Sequence, residues 1–320
     1  MKKILFVDDT HPELREEFTA MGFQCDDFAG KNSDDCKLII GEYFGAVIRS
    51  KITFDAEMLK AANQLRFIAR VGAGMESIDL EYAKMRGIVC FNSPEGNRDA
   101  VAEHALGMLL SLLNHLNRAD AEVRNGIWRR EANRGIEIKG KTIGIIGYGN
   151  MGGAFAQRLK GFGCRVMAYD KYKTGYSDEF VNECDMETIF AETDILSLHV
   201  PLTAETRYLA DESYLSRFVK SIWLINTSRG PVVNTAALVK TLKSGKVRGA
   251  ALDVLEYEKT SFESMNAETF PEPLKQLVAM ENVILSPHIA GWTVESKYKL
   301  AKVLADKIRF WVEQQAQKKP

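Results

Sequence analysis

Little in this chain of 320 residues is present in excess. Cysteine is scarce. The five (Cys25, Cys36, Cys90, Cys164, Cys184) are odd in number and none forms a C-x-x-C, which excludes a disulfide framework and a zinc ribbon and leaves reduced thiols. Charge of one sign is missing: 42 Lys and Arg face 43 Asp and Glu, so no basic field exists to hold nucleic acid or an anionic membrane. Long apolar runs are missing too. Ile4–Val7 is cut off by Asp8 and Asp9, too soon for a signal peptide. The most apolar stretch, Ala100–Leu116, carries Glu103, Asn114 and His115 and does not read as a bilayer span. A cytoplasmic protein is expected. With 46% hydrophobic and 27% charged residues, disorder and low-complexity readings fall away, and the length corresponds to about two domains.

What is present is an alternation of short apolar runs and helical patterns. Ile4–Val7, Ala46–Ile48, Phe67–Val71 and Ile88–Phe91 read as strands, with helices at Pro12–Met21 and Ala56–Ala62. One long helix is expected from Asp99 to about Asn125, apolar on several sides and so buried on several sides. A second run follows. Its strands are Thr142–Ile146, Arg165–Tyr169, Ile195–Val200, Ile222–Asn226, Gly249–Val254 and Val283–Leu285. Its helices are Met151–Phe162, Asp211–Phe218 and Thr235–Ser244. Such alternation gives parallel βαβ units, hence an α/β fold. The polar stretch Glu258–Glu272 reads as a surface loop. A last helix, Val294 to Gln314, comes after the second unit is complete and is expected to return to the first.

Residues 142–153 read T-I-G-I-I-G-Y-G-N-M-G-G, in which Gly147, Gly149 and Gly152 form G-x-G-x-x-G between a strand and a helix. In that setting Gly147 permits the tight turn, Gly149 lets the backbone approach a pyrophosphate, and Gly152 lets helix and strand pack closely. The amides of Asn150 and Met151 then face the anion at the helix start. Asp170, eighteen residues after Gly152 and at the end of the next strand, is placed to accept the adenosine ribose hydroxyls. Its charge repels a 2′-phosphate, so NAD is expected over NADP, with Lys171 and Lys173 softening the preference. A second pair, Gly72 and Gly74, lacks a third glycine and a distal acid and is not another dinucleotide site; amides at such a strand end can hold a carboxylate.

Hydride transfer to a carbonyl requires a cation for the substrate carboxylate, an acid/base on the carbonyl oxygen and a group that tunes it. The later strand ends offer all three: Arg229 after Ile222–Asn226, Asp253 with Glu256 and Glu258 after the next strand, and His288 after Val283–Leu285. Of the five histidines (His11, His104, His115, His199, His288), only His199 and His288 stand at strand ends of the second unit.

Several strings stand in a characteristic order: R-V-G-A-G (70–74), N-R-D-A-V-A-E-H (97–104), G-Y-G-N-M-G, L-H-V-P-L-T (198–203), N-T-S-R-G (226–230), A-L-D-V (251–254) and S-P-H-I-A-G (286–291). Together they resemble the D-isomer-specific 2-hydroxyacid dehydrogenases over nearly the whole chain. The resemblance implies two Rossmann-like or flavodoxin-like parallel-sheet domains with a cleft between them. Residues 1–98 plus 286–320 would form a discontinuous substrate domain and 99–285 the NAD-binding domain. It implies that Arg229 binds the substrate carboxylate and carbonyl, that His288 is the acid/base, and that Glu258 is its paired carboxylate. Asp253, Thr227 and Gly291 would lie on the cofactor side, with His199, Val200, Pro201 and Thr206 beside adenine and ribose. Val71, Gly72 and Ala73 would offer amides to the substrate carboxylate. The helix after Asp99 resembles an element that clasps a second copy, so a homodimer is implied. In one departure, Lys259 stands where the family usually has proline, and the loop Thr260–Phe270 is longer.

Within the family the chain looks most like phosphoglycerate dehydrogenases. Arg49, in Ile48-Arg49-Ser50, and Arg70 match positions where that subgroup places arginines near a phosphate. Ending at 320, the chain is expected to lack the regulatory domain, and hence the serine feedback, of some such enzymes. Glyoxylate or hydroxypyruvate reduction is the alternative. A dinucleotide-sensing scaffold could dispense with Arg229, Glu258 and His288, all present here, and formate enzymes usually carry glutamine at the place of Glu258. No metal site is expected.

Overall fold

The computed structural model describes residues 1–30, 32–258 and 267–317. The chain divides into two compact units, Met1–Asn97 with Trp292–Pro320, and Arg98–Gly291. Each is a doubly wound parallel sheet, the α/β class expected.

In the first unit the strands are β1 (Lys3–Phe6), β2 (Gln24–Asp27), β3 (Gly45–Ile48), β4 (Phe67–Arg70) and β5 (Val89–Asn92), ordered β2-β1-β3-β4-β5. The buried runs I-L-F and G-A-V-I make the middle of the sheet, as parallel strands covered on both faces require. β2 escaped the sequence reading because Gln24-Cys25-Asp26-Asp27 is a polar edge strand with no apolar run. The helices Ser33–Ile39 and Ala56–Ala61 cover one face, around Cys36, Met58 and Leu59. The other face is covered by Pro12–Ala20 and by the last helix, Val294–Gln317. Leu300, Ala301, Leu304 and Ile308 of that helix enter a core with Phe18, Phe67 and Val47.

In the second unit the strands are β6 (Thr142–Ile146), β7 (Arg165–Tyr169), β8 (Val181–Glu183), β9 (Ile195–Leu198), β10 (Ile222–Asn226), β11 (Val247–Leu252) and β12 (Val283–Leu285), ordered β12-β11-β10-β9-β6-β7-β8. The order reverses between β6 and β9, and ligands of such sheets bind beyond the carboxyl ends at that switch point. The corresponding reversal in the first unit falls between β1 and β3.

The long helix expected from Asp99 to Asn125 is two helices, Pro94–Leu113 and Leu116–Arg124. His115, at φ +51°, breaks the hydrogen-bond ladder, and Pro94 starts the first helix earlier because its missing N–H costs nothing in a first turn. Ala102, Ala105, Leu109 and Leu112 bury one face of it, while Glu103 and Gly107 are exposed. Of the expected loop Glu258–Glu272, residues 259–266, including Lys259, lie outside the described residues; Glu272 opens a helix to Val278. No helix among the described residues is long and apolar enough to cross a membrane, and none holds a metal-ligating cluster.

Candidate active site

The glycine turn follows β6 at the switch point. Gly147 has φ +91°, and a Cβ there would meet the His199 carbonyl at 2.6 Å; a Cβ on Gly152 would meet the Gly147 carbonyl at 2.0 Å. The helix Asn150–Arg158 begins at Gly149 with no side-chain cap, and the space beside the Gly149 Cα is open for 4 Å. Uncapped first-turn amides facing open space suit a phosphate. Asp170, at the end of β7, accepts the Tyr148 amide at 2.8 Å on one oxygen, and the Tyr172 and Lys173 amides at 2.9 and 3.1 Å on the other. It therefore shapes the turn it was expected to serve. One acceptor site, on the oxygen that takes the Tyr148 amide, remains for a hydroxyl.

His199 follows β9 and is buried. Its Nε2 pairs with Ser197 Oγ at 2.8 Å, its ring lies against Phe155, and burial pushes its pKa down to about 4. Beyond Val200, Thr206 donates to the Pro201 carbonyl at 2.6 Å and accepts the Thr203 amide at 2.8 Å, closing that loop. Thr227 is buried, and its hydroxyl has no partner among the described residues. The glycine turn, the open helix start and this orphaned hydroxyl fit a dinucleotide.

After β10 the buried Asn226 folds the next turn. Its side chain accepts the Ser228 amide at 3.0 Å and donates to the Arg229 carbonyl at 3.0 Å. Arg229 is half-buried and donates to the Ser228 carbonyl at 2.7 Å. Gly230 is obligatory, since a Cβ would lie 1.9 Å from the Leu255 carbonyl.

His288 follows β12 with φ +55°, a left-handed backbone that costs a non-glycine residue about 1–3 kcal/mol. Its Nδ1 lies 3.1 and 3.2 Å from the two Glu258 carboxylate oxygens, and both side chains are about three-quarters buried (25% and 22% exposed). Asp253 is 1% exposed. Its carboxylate accepts the Ile289 and Ala290 amides at 2.9 and 2.8 Å and the Ser286 hydroxyl at 2.5 Å. Burial raises the Asp253 pKa, but hydrogen bonds from His104, Ser286 and these amides outweigh it and hold the carboxyl below its usual range. Gly291 ends the unit. His104 and Ser286 are not among the site residues expected from the sequence. His104 lies on a helix rather than a strand end, and its place in the 97–104 string was the available signal.

In the first unit Arg49 and Arg70 stand at neighbouring strand ends, for Arg70 pairs with Ile48 in the register of β3 and β4. The Arg49 guanidinium lies 4.4 Å from the centre of the Trp292 ring, a residue the sequence reading did not name. A shallow depression there is lined by Asp9, His11, Arg49, Val71, Trp292 and Lys297, at the β1/β3 switch point. Burial lowers the Arg49 pKa, while Asp8 and Asp9 oppose that shift. One expected donor is corrected: the Val71 amide is spent on the Ile48 carbonyl at 2.9 Å, because the ladder continues one residue past β4. The amides of Gly72 and Ala73 make no hydrogen bond among the described residues.

Residues 106–290 match the family model described as D-isomer specific 2-hydroxyacid dehydrogenase, NAD binding domain. A hydroxypyruvate reductase of Thermotoga maritima is 36% identical over 86% of this chain and 87% of its own. A D-3-phosphoglycerate dehydrogenase of Archaeoglobus fulgidus is 33% identical over 96% of this chain but 56% of its own, so the chain spans about half the length of that relative. Among solved structures, a D-lactate dehydrogenase from Aquifex aeolicus complexed with NAD and lactic acid superposes with a TM-score of 0.83, at 26% identity over 98% and 96% of the two chains.

Proposed function

The chain belongs to the D-isomer specific 2-hydroxyacid dehydrogenases, NAD-dependent oxidoreductases, and we propose that it interconverts 3-phosphohydroxypyruvate and its D-2-hydroxyacid through Arg229, Glu258 and His288. The observation that carries the chemistry is the Glu258 carboxylate against His288 Nδ1. A carboxylate on Nδ1 fixes that nitrogen as the protonated one in the neutral ring and orients the imidazole. The opposite nitrogen, Nε2, then gives a proton to the substrate carbonyl oxygen during reduction and takes it back during oxidation. The Arg229 guanidinium presents a planar fork of donors to the substrate carboxylate and carbonyl. Bound NAD supplies the hydride acceptor, and its reduced form the donor. The uncapped helix start at Gly149 with Asn150 and Met151, together with Asp170 and Thr227, would hold it.

The phosphorylated substrate rests on Arg49 and Arg70 at adjacent strand ends, two cations suited to a dianion, with the Gly72 and Ala73 amides beside them for a carboxylate. A specific observation favours a second reading, hydroxypyruvate or glyoxylate: Arg49 is faced by Asp8 and Asp9 and stacked on Trp292, so part of its charge is already compensated. Following NADH oxidation with 3-phosphohydroxypyruvate, hydroxypyruvate, glyoxylate and pyruvate decides between them. A kcat/KM at least tenfold higher for the phosphorylated acid, lost in Arg49→Ala, supports the first. A preference for an unphosphorylated acid, unchanged in Arg49→Ala, overturns it in favour of the second.

A homodimer belongs to the same proposal. Leu116 and Val123 of the second helix, with Ile127 and Trp128 beyond it, expose apolar surface that a second copy would cover. Sedimentation equilibrium tests this. A cytoplasmic location is supported by five free cysteines.

A further inference from the structure

We propose that His104 is a positioning residue for His288, acting through Ser286 and Asp253; this rests on the reading of His288 as the acid/base. His104 Nε2 lies 2.9 Å from Ser286 Oγ and 3.4 Å from the nearer Asp253 oxygen. Ser286 Oγ lies 2.5 Å from that same oxygen. The donors can be assigned by counting protons. Asp253 is held ionised and only accepts. The single hydroxyl proton of Ser286 therefore goes to Asp253. His104 must then carry its proton on Nε2 and give it to Ser286 Oγ.

The Asp253 end of this chain is the floor of the turn that presents His288. Its carboxylate takes the amides of Ile289 and Ala290, and its backbone carbonyl takes the His288 amide at 2.7 Å. Three consecutive amides, 288 to 290, thus end on one buried residue. These bonds hold His288 at its left-handed φ of +55°. A carboxylate so placed keeps its orientation only while its remaining lone pairs are satisfied in their present directions. Ser286 does this directly, and His104, by donating to Ser286 Oγ, keeps the serine proton aimed at Asp253. His104 comes from the helix Pro94–Leu113, an element otherwise remote in sequence from the turn. It braces the turn from a rigid support, as a pre-organised acid/base requires.

The test compares His104→Leu, which removes the donor, with His104→Gln, whose amide restores one, alongside Ser286→Ala and His288→Asn. In His104→Leu, kcat should fall at least tenfold while the KM for NADH stays within about twofold. His104→Gln should recover most of kcat at the same melting temperature as His104→Leu. Adding Ser286→Ala to His104→Leu should cost little more, since both break one chain. If the Leu and Gln variants share one kcat, whether lowered or at the wild-type level, His104 has no positioning role. If His104→Leu does not fold, the Gln variant and Ser286→Ala decide: a wild-type kcat in Ser286→Ala overturns the proposal. Full turnover in His288→Asn would remove the reading beneath it, an outcome distinct from wild-type His288 dependence with indifferent His104 variants.

Discussion

Asp253 and His288 are bonded backbone to backbone: the His288 amide donates to the Asp253 carbonyl at 2.7 Å, one residue beyond the end of β11. The ring that would move a proton is thus tied to a strand of the sheet, and its Nδ1 is tied to Glu258 five residues further along the same segment. Backbone and ring are fixed by two residues of one short stretch, 253–258. That arrangement turns an energetically unfavourable backbone conformation into a stable one.

His288→Asn should therefore lower kcat by about 10²–10⁴, the usual yield of a general acid/base, and leave NADH affinity within about twofold. Steady-state rates with NADH fluorescence titration check both. A variant turning over at the wild-type rate would take His288 out of the mechanism.

Asp170→Ala should raise the KM for NADH at least tenfold and narrow the preference over NADPH. The structure adds a reason beyond charge: the amides of Tyr148, Tyr172 and Lys173 lose their acceptor, so the glycine turn loosens as well. Unchanged kinetics with both cofactors would mean that Asp170 does not select between them.

Gly230→Ala should lower both the melting temperature and kcat/KM. Its Cβ would collide with the Leu255 carbonyl, so the Asn226–Gly230 turn must shift and carry Arg229 with it. Overpacking of this kind costs about 1–3 kcal/mol. Thermal melts and rates on one preparation test it, and a silent substitution would show that the turn is not rigid.

Stability should fall on acidification from about pH 6.5 to pH 4. His199, with its pKa pushed down to about 4, stays neutral in the fold, whereas the unfolded chain takes up a proton at about 6.5. The unfolded state binds more protons throughout that window, so stability rises with pH across it. The contribution lost by pH 4 is about 3 kcal/mol. Melting temperatures measured from pH 7 to 5 should decline less steeply in His199→Gln than in the parent. Equal slopes would show that His199 does not contribute.

Much of the candidate site was legible in the sequence because its parts are local. The Gly147–Gly152 turn and Asp170 at the next strand end follow from periodicity and from where parallel sheets place their loops, which also put Arg229, Glu258 and His288 among the candidates after three later strands; the family resemblance singled those three out. What stayed hidden is either a single torsion or a contact between residues far apart in the chain. The break at His115 is a single backbone torsion inside an apolar stretch, and the polar strand β2 exists because β1 offers it an edge. The loss of the Val71 amide to Ile48 and the stacking of Trp292 on Arg49 belong to the same class.

The sequence by itself therefore determined the class of fold, the dinucleotide turn and the set of residues able to do the chemistry, since hydrophobic period, glycine placement and strand ends are local properties. Only the tertiary structure decided which groups are bonded to which. Glu258 meets His288 across 30 residues, a pairing implied beforehand only by the family resemblance, and His104 meets Ser286 across 182. Neither hydrogen bond has a local sequence signature, because both are closed by the packing of elements whose order in the sheet the chain's own order does not reveal.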